Sequence, residues 1–175
     1  MNKNLTEAAG RGAHTKVMVS QNMNKPSQDL LTTLKGEVLG EALFRTAYYL
    51  CFAQERKKKM YILWKLEAQT KERILKYFGE NNIEVPGLML AAITGAGLGV
   101  LLTLTPWSQV IKAMPPVADK GLEIYRRLEL QAPEEYKALF AYVVAHEVAL
   151  KRFAEIEIEG NEQESLEPIE ALLDD

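Results

Sequence analysis

The sequence predicts an all-α protein: four amphipathic helices in two antiparallel hairpins, joined by a long apolar crossover. Three observations carry that reading. Apolar residues recur at intervals of three and four along four separate stretches. Two polar breaks, at 54–59 and 132–135, are short enough to make the helices flanking each of them antiparallel neighbours. Between the two pairs lies 88–104, a run of 17 residues without a charge.

Residues 1–28 are rich in Asn, Ser, Gln, Thr, Gly and Lys and read as a flexible lead-in with no apolar segment of the signal-peptide kind. The bundle is expected over 29–160. Helix A, about 30–53, carries Leu30, Leu34, Val38, Ala42 and Thr46 on one face, with Asp29 or Ser27 to cap its start. No Gly or Pro interrupts 42–77, so one very long helix or two are required, and two are favoured by ordinary helix lengths. The charged cluster 54–59 is taken as the turn, which places helix B at about 57–79 with Met60, Leu63, Trp64, Ile74 and Phe78 inward. The uncharged run 88–104 contains Gly95-x-x-x-Gly99 and reads as a buried crossover helix, being short of the roughly 20 residues that span a bilayer. Pro106 before Trp107 suits the start of a short helix, and helix C follows at about 117–131 after Pro115 and Pro116. Pro133 with Glu134 and Glu135 marks the positive end of helix D, which stops at Gly160. Residues 161–175 form an acidic tail whose Leu166, Ile169, Leu172 and Leu173 can dock a short final helix.

Composition fits one soluble domain: 175 residues, 47% hydrophobic, 26% charged, formal charge −3. The total conceals a split. Residues 1–154 hold all 21 Lys and Arg against 15 acids, whereas 155–175 hold nine acids and no base. A single cysteine, Cys51, excludes an internal disulfide and any Cys-rich metal site, and the chain is read as cytoplasmic. No nucleotide-binding glycine loop, zinc motif or nucleophile elbow occurs, and no nucleic-acid partner is expected.

The informative residues are polar groups on apolar stripes, because a buried unpaired carboxylate is retained only with a partner or a metal. Glu41, Glu67, His146 and Glu147 qualify, with Glu37 and Glu123 nearer the seam edges. A turn centred near Gln54 leaves Glu41 and Glu67 each 13 residues away, at one height. Carboxylates and imidazoles converging from facing helices are how bundles hold iron or manganese pairs. The ordinary alternatives are a Glu41 and Glu67 bridged to Arg45, Lys71 or Arg127, a His146 bonded to Tyr48, Tyr49 or Tyr142, and a Glu147 paired with Lys151 or Arg126.

Through Gly40-Glu41, Leu66-Glu67-Ala68-Gln69-Thr70, the long B–C crossover and His146-Glu147, residues 30–158 resemble the ferritin-like superfamily, in particular its rubrerythrin-like and di-iron oxidase branches. The resemblance implies a ferritin-like four-helix bundle holding two iron ions, or manganese, and oxygen-dependent chemistry on a small apolar substrate. Glu41 matches the helix A ligand and Glu67 the helix B carboxylate, while Glu147 and His146 serve helix D. Glu37, Asp119 or Glu123 would complete the set. Thr70 and Leu150 stand where the pattern places its histidines. A homodimer is the expected assembly, without stable membrane insertion. The rival expectation is a metal-free bundle of the same fold that acts by binding a partner.

Overall fold

The computed structural model describes residues 28–85 and 87–174, and everything regular among them is helical. The expectation for 1–27 lies outside the described residues. The helices are α1 (Gln28–Leu50), α2 (Gln54–Glu80), α3 (Met89–Leu104), α4 (Trp107–Gln131), α5 (Lys137–Glu159) and α6 (Glu167–Leu173), with a 3-10 turn at Glu134–Tyr136 before α5. Helices α1, α2, α5 and α4 surround the core in that order, each packed on the next, and α1 closes the ring against α4. Ion pairs and hydrogen bonds fix the directions. Lys71 with Glu41, Tyr125 with Glu37, Thr70 with His146 and Lys151 with Asp119 each join neighbours that run antiparallel.

Helix ends follow local chemistry. At the end of α2, Asn82 takes the left-handed conformation (φ 51°), so Ile83 N–H reaches Phe78 C=O and Asn82 N–H reaches Gly79 C=O. Gly160 (φ 86°) does the same for α5, with Asn161 N–H on Ile156 C=O. The α1–α2 turn differs from expectation. It falls at 51–53, and 54–59 form the first turns of α2, because Gln, Glu, Arg and Lys are good helix formers and nothing there breaks the helix. Nor is that cluster wholly solvated. Lys59 is buried and pairs with Glu157 at 2.5 Å, whose other oxygen accepts from Trp107 Nε1 at 2.6 Å.

Helix α4 starts ten residues earlier than expected and runs straight through Pro115 and Pro116. Two lost N–H donors did not end it; Ile111, Ala118 and Leu122 keep it seated in the core on both sides of the prolines. Crossover helix α3 lies on the outside of α1 and parallel to it. Gly95 and Gly99 are its buried residues: a Cβ at either would strike the carbonyl oxygen of Leu39 or Leu43. The reading of 88–104 as a buried helix is therefore corrected, since Met89, Leu90, Ile93 and Leu104 face outward and Leu104 is 77% exposed. Only glycine lets this helix approach so closely, while Leu98 and Leu102 turn toward the bundle and Met89, Leu90, Ile93 and Leu104 are left on the far side. No helix among the described residues is long and apolar enough to cross a membrane.

Two apolar clusters fill the bundle. One, toward the α1–α2 turn, contains Phe44, Met60, Leu63, Leu66 and Phe153; α6 docks on it through Leu166 and Ile169. The other contains Leu34, Val38, Ile74, Phe78 and Phe140. Between them lies a layer of buried polar side chains.

Candidate metal centre

That layer consists of Glu37 on α1, Glu67 and Thr70 on α2, and His146 on α5, all buried, with Glu37 and His146 each only 1% exposed. One ligand atom from each of Glu37, Glu67 and His146 lies within 4.8 Å of the others. His146 Nδ1 is 3.8 Å from Glu37 Oε2, and its Nε2 is 3.9 Å from Glu67 Oε1. These spacings are too long for direct hydrogen bonds and leave room for a cation between the donors.

The surrounding residues hold the donors in place. Tyr125 on α4 donates its phenol to Glu37 Oε1 at 2.7 Å, while the buried Glu37 Oε2 accepts no hydrogen bond. Thr70 Oγ1 is 3.0 Å from Leu66 C=O and 2.7 Å from His146 Nδ1. If its one proton goes to the carbonyl, the oxygen accepts from Nδ1–H, which leaves the Nε2 lone pair facing Glu67. Two helix-interior glycines make space: a Cβ at Gly40 would collide with the Glu67 carboxylate, and one at Gly121 with that of Glu147.

The electrostatics hold the buried carboxyls toward their protonated, neutral form. Burial pushes Glu37 up to about 7, against the hydrogen bonds with Tyr125 and Glu67 that lower it. Glu67 stands well above the usual carboxylate range, from burial first and then the charges of Glu37 and Glu147. Glu147 is pushed up to about 8 by burial and by Glu37. Burial pulls His146 down to about 3, so the imidazole is neutral and its free nitrogen is available as a ligand. A cation among these groups would oppose the upward shifts of the three carboxyls and would keep His146 neutral.

The cluster forms the floor of a cavity of about 550 Å³ between α1, α3 and α4. Its walls are apolar, among them Leu43, Phe44, Leu98, Leu102, Met114 and Leu150.

Of the residues singled out from sequence, Glu67, His146, Glu147 and Glu37 line this one cavity. Glu41 does not join them: it is neutralised by Lys71 at 2.5 Å and Arg45 at 3.5 Å, the ordinary alternative. The reason is register. With the turn centred on residue 52, Glu67 is level with Glu37, 15 residues away on either side. Glu123 is exposed and faces Arg127, and Asp119 is paired with Lys151 at 2.6 Å, so α4 offers Tyr125 in place of an acid. His146 bonds Thr70 and none of the three tyrosines considered for it. Tyr125 and the spacing role of Gly40 and Gly121 were not legible beforehand. The signal that could have found the glycines is their place inside helices, where glycine costs about 1 kcal/mol without a packing reason.

Comparison of the chain with protein-family models, with curated proteins and with solved structures found no match.

Proposed function

We propose that the protein is a ferritin-like metalloprotein that binds iron or manganese at Glu37, Glu67 and His146, with Glu147 as a further donor, and oxidises a small apolar substrate with dioxygen. One observation carries the reading: three buried potential ligands from three helices converge on one point, and one of their oxygens is left without a partner. Burying acids in this way costs stability, which a cation among the donors would offset. The antiparallel pairs α1–α2 and α4–α5 with α3 as crossover support the superfamily assignment. The donor set fits the metal. Carboxylates with an imidazole, converging from facing helices, are the donors that iron and manganese take in such bundles.

When bound, such an ion supplies redox chemistry and activates oxygen. The chain's own residues do the rest. Tyr125 fixes the rotamer of Glu37, Thr70 that of His146, and the glycines let Glu67 and Glu147 reach inward without strain. Apolar walls favour an apolar substrate over water above the floor. Glu37, Glu67, His146 and Glu147 are fewer than the six donors of a full paired centre, so one ion is better provided for than two.

Metal analysis of protein from iron- or manganese-supplemented cells tests this. Glu37→Ala and Glu67→Ala should lose the metal, whereas Glu41→Ala should keep it. A wild-type chain that carries no metal and whose melting temperature ignores added Mn²⁺ and Fe²⁺ overturns the proposal and leaves the metal-free interaction module.

A further inference from the structure

The cavity has a shape that metal binding alone does not use. Its α4 wall is Gln109, Val110, Ala113, Met114, Val117 and Ala118, a single helix face, and the same cavity reaches Tyr125 at the floor. From 109 to 125 this spans about 24 Å at 1.5 Å per residue. A volume of about 550 Å³ drawn out over that length is a slot rather than a chamber. Small residues keep the slot open: Ala113 and Ala118 on α4, with Gly36 and Gly40 opposite them on α1. Polar atoms occur at its two ends. Glu37, Glu67, His146 and Glu147 form the inner end, and the uncharged Thr105 and Gln109 lie at the outer one.

We propose that this slot binds a linear, single-chain aliphatic molecule with an uncharged polar end, such as a long-chain alcohol or aldehyde, laid along α4. The apolar walls stabilise the chain by removing it from water. A branched or cyclic skeleton of equal volume is too wide for a cavity drawn out over that length. A carboxylate-ended chain is disfavoured at the inner end by the acids there; at the outer end no Lys or Arg is among the lining residues, and the neighbouring Arg56 is engaged by Leu102 C=O and the Trp107 ring. That the inner end is the reacting one rests on the metal reading above; that the slot takes a chain does not.

The test is calorimetric titration of the metal-free protein with 1-alkanols from hexanol to docosanol, the longest of which spans the slot. Affinity should rise about fourfold per added methylene, as burial of about 0.8 kcal/mol per CH₂ requires, and then level off once the slot is full. Ala118→Leu, inside the slot, should move the plateau to shorter chains. Should that variant fold poorly, Ala113→Leu at an exposed position nearer the mouth should shift it in the same direction. Cyclododecanol should bind at least tenfold more weakly than 1-dodecanol. No saturable binding overturns the proposal, as does a plateau that neither variant moves; an affinity that keeps rising without one indicates adsorption on the outer face of α3 and overturns it equally. Because the titration needs no metal, a failed metal assignment leaves its outcome unaffected, and absent chain binding leaves the metal content unaffected.

Discussion

A hydroxyl carries one proton, and at Thr70 both Leu66 C=O and His146 Nδ1 lie within reach of it. Giving that proton to the carbonyl makes Thr70 the acceptor for Nδ1–H and frees Nε2 for a metal, so Thr70 acts as a positioning residue. Thr70→Val keeps the shape and removes the acceptor; metal affinity should fall about 10–100-fold, the usual effect of losing such a partner. Thr70→Ser should restore it. The nitrogen NMR shifts of the His146 ring in metal-free protein provide a check independent of activity: wild type and the Ser variant should show the Nδ1–H tautomer, the Val variant a mixture. Identical tautomers in all three would end the argument. Gly40→Ala probes the other side, because its Cβ meets the Glu67 carboxylate, and it should reduce metal content while Gly36→Ala, with only Tyr125 Oη at 3.6 Å, should not. At this scale the sequence disclosed the right chemistry and one wrong address. Glu67, His146 and Glu147 stood out by the apolar residues around them, but Glu37 and Glu41 lie one helical turn apart on the same helix, and only the register across the hairpin separates a ligand from a surface ion pair.

The register was set by where one turn falls, and turns without Gly or Pro leave no mark in a sequence. Residues 51–53 break the helix with Cys, Phe and Ala, and the more polar 54–59 continue it. Helix bodies were legible because their periodicity is long; ends were legible where Gly160 supplied the left-handed residue and less so where Asn82, rather than Gly79, took that role. The two prolines of α4 read as a break because propensity weighs the lost hydrogen bonds and cannot weigh the core contacts of Ile111 and Ala118. Helix α3 offers a test at this scale, since its glycines divide by face. Gly95→Ala would place a methyl against Leu39 C=O and should destabilise the protein by about 1–3 kcal/mol. Gly97→Ala meets nothing within 4 Å and should stabilise it by up to about 1 kcal/mol through helix propensity. Urea denaturation separates the two; equal effects would mean that α3 does not pack on α1 through Gly95.

For the molecule as a whole, the polar layer between two apolar clusters sets how stability depends on pH. In the metal-free protein Glu37 and Glu147 titrate near 7 and 8, and Glu67 also lies well above 4.5, so folding takes up protons from water over that range. Their contribution is intact below about 4.5 and is lost as pH rises through the folded values. His146 works oppositely. Its folded value of about 3 lies below the ordinary 6.5, so its contribution is present above 6.5 and is lost as pH falls toward 3. Between 4.5 and 6.5 three carboxyls outweigh one imidazole, and the melting temperature of metal-free protein should decline steadily from about pH 5 to pH 9. Glu37→Gln should make that decline shallower and, at pH 8, should raise the melting temperature above wild type while lowering metal content. Metal binding displaces the same protons, so the stabilisation produced by saturating Mn²⁺ should be larger at pH 8 than at pH 5.5. Thermal melts of the two proteins across pH, with and without Mn²⁺, measure all of this together. A metal-free wild type as stable at pH 8 as at pH 5, or a Glu37→Gln chain less stable than wild type at pH 8, would show that the buried acids are compensated within the protein and have no need of a cation.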